Sequence, residues 1–310
     1  MKARLKEIRW EAEGIHVYRF TALPGEVLMP FDAGAHVDIA LEDGLSRSYS
    51  LLNDSADPSF YEIGVHLSPT SRGGSRYIHE HWRVGEVMEI TSPSNNFPLE
   101  ESASHSLLIA GGIGITPLLS MMARLDALGK PWELHYVAHS RERAGFIDML
   151  EGRDNVHILF DGAEGAPKLD LKGIVEGAPQ NAHLYCCGPQ GMLDAFKQFA
   201  AGRPKGHVHL EYFTADTKIA TEGGFVVELK RSGKSIEIQP GERILDALLA
   251  AKVDVSFSCS EGTCGTCETR VLEGVPDHRD FFLTDEERES NKTMMVCCSG
   301  SKTDRLVLDL

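Results

Sequence analysis

Apolar positions in the first hundred residues come in short runs broken by turns. The stretches 15–20, 36–41, 48–52, 61–67 and 87–91 alternate or run apolar between clusters of Gly, Pro, Asn and Asp. Alternation at period two marks strands half-buried against a core, and several short strands at this spacing predict a small antiparallel β-barrel. One helix is predicted among them, at 75–82, opening at Gly73-Gly74-Ser75. From Ser106 the pattern changes. Apolar runs at 107–110, 132–138, 156–160 and 183–187 read as strands, and they alternate with helical stretches at 116–128, 146–151 and 190–199. Such alternation predicts a parallel sheet flanked by helices. A polar, aperiodic stretch at 214–223 reads as a linker. Beyond it, Phe225–Leu229 and Ser235–Ile238 form a predicted hairpin about Ser232-Gly233-Lys234, followed by a helix at 244–251. The expected organisation is a β-barrel over 1–102, an α/β domain over 103–213, the linker, and a C-terminal domain over 224–310.

The cysteines bring in chemistry. Cys259-Ser-Glu-Gly-Thr-Cys264-Gly-Thr-Cys267 is C-x4-C-x2-C, and 29 residues separate Cys267 from Cys297. This is the plant-type spacing for a [2Fe-2S] cluster. Sulfide-bridged irons take soft, anionic thiolates. Three ligands from one tight loop need small neighbours, here Ser260, Gly262, Thr263, Gly265 and Thr266, so that backbone N–H groups approach the sulfides. Structural zinc sites use two C-x2-C pairs or Cys with His, and only one C-x2-C occurs here. The fourth thiolate, Cys297, follows at the distance this spacing expects. Cys186, Cys187 and Cys298 remain as free thiols, as expected in a reducing cytoplasm.

Composition narrows the field. The 310 residues are 42% hydrophobic, with a net charge of −15. That balance disfavours nucleic acid and anionic membrane surfaces, which need Lys and Arg, but suits docking on a basic patch of a partner protein. The start of the chain lacks the apolar core of a signal peptide, and no run of 18 apolar residues suggests a membrane span. Among thirteen histidines, His105, His135, His139 and His183 are isolated along the chain, and no metal cluster is expected of them. No G-x-S-x-G nucleophile motif is present.

Four loops carry candidate binding chemistry. Gly111-Gly112-Ile113-Gly114-Ile115-Thr116-Pro117 links a strand to a helix, where glycines admit a pyrophosphate to free N–H groups at the positive end of the helix dipole. Pro117 suits the first helical position. The spacing is not G-x-G-x-x-G. Cys187-Gly188-Pro189 follows a later strand at the same sheet edge, where Cys187 is a candidate neighbour of a nicotinamide. Arg47-Ser48-Tyr49-Ser50 offers a phosphate fork and an aromatic ring, and Arg72-Gly73-Gly74-Ser75 a second phosphate-type site at a helix start. Arg141 and Arg143 stand where a 2′-phosphate would be read, or are solvated charges.

With these motifs in this order, the chain resembles the ferredoxin–NADP reductase superfamily, and with the C-terminal cluster motif its phthalate dioxygenase reductase and vanillate demethylase reductase branch. The resemblance implies a flavin barrel, an α/β NAD-binding domain and a β-grasp ferredoxin domain. It implies FMN, NADH and a [2Fe-2S] cluster as cofactors, a terminal Rieske non-haem iron oxygenase as partner, and a cytoplasmic monomer. Arg47, Ser48, Tyr49 and Ser50 would hold flavin ring and phosphate, Gly64, Val65 and His66 would run along the ring, and Arg72, Gly73, Gly74 and Ser75 would take the phosphate. Gly111, Gly112, Gly114, Thr116, Pro117, Gly188 and Pro189 would bind the nucleotide, with Thr116, Cys187 and Phe213 at the hydride site. Cys259, Cys264, Cys267 and Cys297 would hold the cluster. The expected chemistry is hydride transfer to the flavin, then single-electron steps through the cluster. An FAD-containing reductase feeding another hydroxylase and a redox sensor without turnover are the alternatives.

Overall fold

The computed structural model describes all residues except 43–45, 70–72, 214–218 and 258. It falls into two compact units, Met1–Phe213 and Thr214–Leu310.

The first unit opens with β1 (Lys2–Ala12), β2 (Ile15–Ala22), β3 (His36–Ala40), β4 (Ser46–Ser50), β5 (Phe60–His66), α1 (Gly74–His81) and β6 (Val87–Glu89). An antiparallel sheet runs β5-β2-β1-β6, and β3 pairs with β4. Bridges from Ile39 to Ile90 and from Leu51 to Ile63 tie that pair to both ends of the sheet and curl it. Leu5, Tyr18, Phe20, Val37, Ile39, Tyr61 and Ile63 fill the interior. Trp82, just past α1, meets Tyr18 and Phe20 edge-on at 5.3 and 5.7 Å, the offset geometry that aromatic quadrupoles favour. Nothing in the hydrophobic pattern announces β1. Its charged residues take the outer face, and register shifts at Leu5/Glu7 and Trp10/Ala12 break the alternation.

The same unit continues with β7 (Ser106–Gly111), α2 (Ile115–Leu128), β8 (Trp132–Ala138), α3 (Ile147–Leu150), β9 (Val156–Phe160), α4 (Leu171–Gly177), β10 (His183–Cys187), α5 (Gln190–Ala200) and β11 (Val208–Glu211). The five strands are parallel, in the order β11-β10-β7-β8-β9. Every residue of β7 is buried, as a central strand covered on both faces requires. Leu108 and Ala110 pack with Leu118 and Met122 of α2, while Leu107 and Ile109 pack with Leu171, Leu193 and Phe196 of α4 and α5.

The second unit contains β12 (Phe225–Leu229), β13 (Ser235–Ile238), α6 (Ile244–Ala250), β14 (Glu268–Glu273), β15 (Pro276–Asp277), α7 (Asp285–Ser290), β16 (Thr293–Met295), β17 (Gly300–Ser301) and β18 (Arg305–Leu308). Its main sheet runs β13-β12-β18-β14-β16, with β12 parallel to β18 and the other pairs antiparallel. Leu245 and Leu248 of α6 share a core with Val227, Leu229, Leu306 and Leu308, in the β-grasp manner. Thr284 and Glu287 cap α7 reciprocally. Among the described residues, no helix is long and apolar enough to cross a membrane.

Candidate functional site

β7 and β10 are neighbours, but the strands that extend the sheet from them run outward in opposite directions. Open α/β sheets bind ligands in the crevice outside the strand ends at such a reversal. Two glycine loops meet there. A Cβ on Gly111 would stand 2.6 Å from Pro189 Cδ and 3.2 Å from Gly188 Cα, and one on Gly114 would stand 2.3 Å from the Cys187 carbonyl oxygen. Gly111, Gly114 and Gly188 therefore serve the packing of loop against loop. Gly112 differs: its φ is +53° and nothing lies within 4 Å of its Cβ position. The sequence predicts backbone approach to a phosphate at every glycine of the loop, whereas the space for it exists at Gly112. α2 begins at Ile115, so Pro117 is third in the helix rather than first. A missing N–H costs no helical bond there either, because the first four lack intrahelical partners.

Thr116 is buried, and its Oγ1 donates to the Ile113 carbonyl at 3.0 Å. Its methyl group faces the barrel: a Cβ on Gly64 would stand 2.9 Å from Thr116 Cγ2. Cys187 is fully buried, and burial, with Glu211 and Cys186 beside it, pushes its thiol well above the usual range. It is a neutral packing group, not a nucleophile. Phe213 is 38% exposed, while Tyr212 packs on the α4/α5 core, so the structure separates two adjacent aromatics. Glu211 has no place in the sequence reading. It pairs in register with Cys187 at the strand ends. Its Oε2 is buried without a partner, and burial pushes its carboxyl up to about 8. The residue as a whole is partly accessible; the carboxyl end lies inside. A lone acid between Leu210 and Tyr212 in a short edge strand is the one signal for it.

On the barrel side, Arg47 lies across the start of α1. A Cβ on Gly74 would stand 2.9 Å from Arg47 Cγ and 3.0 Å from its Nε. Gly73, with φ of 101°, precedes the helix and provides no side-chain cap. A guanidinium beside the positive end of a helix fits a phosphate. Arg72 lies outside the described residues. Ser75 Oγ accepts from the Ser68 N–H at 3.3 Å. Ser48 Oγ donates to Asp38 Oδ1 at 2.5 Å, which leaves it engaged within the barrel. Ser50 Oγ is buried with no partner, an orphan that a polar edge of a flavin ring would satisfy. The Val65 carbonyl oxygen is engaged by His79 Nε2 at 3.0 Å, and His66 is exposed at the end of β5.

In the second unit the cysteine loop is built on positive φ at Ser260 (56°), Gly262 (78°) and Gly265 (76°). This curls the backbone so that its N–H groups face sulfur. Those of Glu261 and Thr263 donate to Cys259 Sγ, each at 3.4 Å, and that of Cys259 donates to Cys264 Sγ at 3.5 Å. Cys297 comes within hydrogen-bonding reach of Cys259 and Cys267. Hydrogen bonds from Cys264 and Cys297 hold the Cys259 thiol well below its usual range. Four converging sulfurs with N–H groups aimed at them fit a [2Fe-2S] cluster. Cys298 instead points at the loop: a Cβ on Gly262 would stand 2.5 Å from its Sγ. Asp280, also absent from the sequence reading, buttresses the loop. Burial pushes its carboxyl up, but His278, whose Nδ1 lies 3.7 Å from Oδ1, the hydrogen bond from the Leu283 N–H and the charge of Arg288 more than offset this, and it lies below its usual range.

Three substitutions test this geometry. Gly114→Ala should destabilise the first unit by about 2 kcal/mol, since the added methyl meets rigid backbone. Gly112→Ala should cost about 1 kcal/mol of left-handed strain and raise the KM for NADH, as thermal unfolding and steady-state kinetics will read. Glu211 has a folded-state value raised from 4.5 to about 8. Its contribution to stability is complete below pH 4.5 and is lost as pH rises through about 8. Glu211→Gln should therefore gain in unfolding midpoint over the natural protein at pH 9 but not at pH 4.

Comparison with known proteins agrees with this architecture. Residues 227–301 match the family described as 2Fe-2S iron-sulfur cluster binding domain. Over 308 residues the chain is 54% identical to the phenoxybenzoate dioxygenase subunit beta of Ectopseudomonas oleovorans, covering 99% of this chain and 96% of that one. It is 42% identical to the vanillate O-demethylase oxidoreductase of a Pseudomonas species, covering 99% of this chain and 98% of the relative. The solved structure of phthalate dioxygenase reductase, described as a modular structure for electron transfer from pyridine nucleotides to [2Fe-2S], aligns with a TM-score of 0.79 at 38% identity, covering 100% of this chain and 98% of that one. The expectation of FMN is corrected by these comparisons, which point to FAD. The physical reason is that Arg47 and the α1 start read a phosphate, a group both flavins carry, so that motif does not discriminate between them. The chain belongs to the phthalate dioxygenase and vanillate O-demethylase reductase family of the ferredoxin–NADP reductase superfamily.

Proposed function

We propose that this chain is the reductase component of a Rieske-type oxygenase system, taking electrons in pairs from NADH and passing them singly, through a flavin and a [2Fe-2S] cluster, to a terminal oxygenase. The observation that carries this reading is the presence in one chain of a switch-point crevice open at Gly112 and a loop gathering four sulfurs. A redox sensor without turnover has no use for the nicotinamide crevice. Bound flavin supplies the exchange between two-electron and one-electron chemistry.

The residues place and shield these groups. Arg47, Gly73, Gly74 and Ser75 bind the flavin phosphate; Tyr49 and Ser50 position the ring, with Gly64, Val65 and His66 along it. Gly112 gives the nucleotide pyrophosphate access to the start of α2, in a loop shaped by Gly111, Gly114, Pro117, Gly188 and Pro189. Thr116 and buried Cys187 form a water-free wall at the hydride site, and the exposed ring of Phe213 covers it. Cys259, Cys264, Cys267 and Cys297 ligate the cluster. None of the seven cysteines forms a disulfide, in agreement with a cytoplasmic setting.

NADH is preferred because both candidate 2′-phosphate readers are engaged. Arg141 pairs with Glu151, Nη2 to Oε2 at 2.7 Å, and Arg143 with Glu13 at 3.3 Å. Turnover with NADH should exceed that with NADPH, and Glu151→Gln should narrow the ratio by freeing Arg141, as paired steady-state measurements will show. The reductase reading itself is tested by Cys264→Ser. Reduction of a one-electron acceptor protein should fall roughly a hundredfold or more, while NADH-dependent reduction of the flavin, followed by its absorbance, persists. Unchanged delivery to the acceptor would remove the cluster from the path.

A further inference from the structure

β8 alternates over its first five residues. Trp132, Leu134 and Tyr136 enter the core against α2, so Glu133 and His135 project to the opposite face. The buried cluster under α4 and α5 on that side draws on β7 and β10 and includes no residue of β8 or β9. Parallel pairing sets His157 of β9 directly beside His135. The two imidazoles stack at 4.7 Å, inclined at 25°. Each turns its Nε2 to the same carboxylate oxygen, Glu133 Oε1, at 2.9 Å. The three side chains are 15% (His135), 37% (Glu133) and 51% (His157) exposed. His135, isolated along the sequence, is thus one corner of a convergent triad whose ligand atoms all lie within 4.8 Å of one another.

From this geometry we infer that Glu133, His135 and His157 form a binding site for a divalent transition-metal ion of the zinc class, separate from the iron-binding cysteines. Two imidazole nitrogens and one carboxylate oxygen are the donors of zinc and its neighbours in the first transition row. Calcium and magnesium take oxygen ligands and are not served by this set. A tetrahedral ion with bonds of about 2.1 Å needs its ligand atoms about 3.4 Å apart. Each 2.9 Å contact must then open by about half an ångström, which partly exposed side chains allow by small χ rotations. The fourth position faces solvent on the side of His157 and takes water. The ion would clip edge strand β9 to β8. It lies about 10 Å along β8 from the crevice at the strand ends, so it stabilises the sheet without entering the hydride chemistry.

The test uses the intact holoprotein, dialysed against zinc sulfate, with zinc and iron counted in the same sample. One zinc per chain should bind with iron content unchanged. His135→Ala, His157→Ala and Glu133→Gln should each weaken binding roughly tenfold or more. Zinc should raise the unfolding midpoint of the natural protein but not of these variants, with NADH oxidation unaltered throughout. The inference is overturned if no zinc binds, if the variants bind it as the natural protein does, or if zinc enters only as iron leaves. In the last case the cysteines are the site, and the triad is a carboxylate hydrogen-bonded to two histidines.

Discussion

Where β7 and β10 end, the main chain at Gly114 presses on the carbonyl of Cys187 so closely that no Cβ fits between them. The rest of the first site follows from this contact. It fixes the direction in which α2 leaves the sheet, and hence where Thr116 stands. Thr116 in turn presses its methyl on Gly64, a second place where a side chain is excluded, and so sets β5 against the start of α2. A flavin barrel and a nucleotide sheet are thereby held in register through two backbone approaches, each of which only glycine permits. Polar groups that need a ligand, Ser50 Oγ among them, are then disposed around the junction.

The second unit reaches a comparable result by other means. Its loop uses left-handed residues to turn N–H groups inward, and a shell of contacts keeps them there. Phe282 covers Gly265, Cys298 fills the space against Gly262, and the Phe281 N–H donates to the Gly262 carbonyl at 3.0 Å. In this picture Cys298 is a packing atom, and the adjacent Cys297 is the one whose sulfur meets Cys259 and Cys267. Two neighbouring thiols take different roles because β16 ends at Met295 and the chain turns there.

Much of this was legible in the chain because it is local. β7 and β10 are nearly continuous apolar runs with sharp ends, β8 alternates, and the cysteine motif is a matter of spacing alone. The capping residue Thr284 is likewise readable, since an N-cap is defined within one turn. What escaped the sequence is non-local or masked. β1 hides its alternation behind two bulges and a charged face, and β11 is half-buried at all four positions, so it has no period to read. Glu211 and Asp280 look like ordinary surface acids until tertiary packing buries their carboxyl ends. The division of labour among Gly111, Gly112 and Gly114 depends on a loop more than seventy residues away, and the meeting of His135 with His157 on strand register. The choice of flavin came from the resemblance alone, and the phosphate-reading residues could not check it, because both flavins carry that group.

The Ser50 hydroxyl, buried without a partner, is a polar group of the folded barrel whose complement the flavin would supply, so loading the flavin favours the folded state over the unfolded one by mass action. A chain without its flavin would therefore be the less stable form, and the more open to proteolysis.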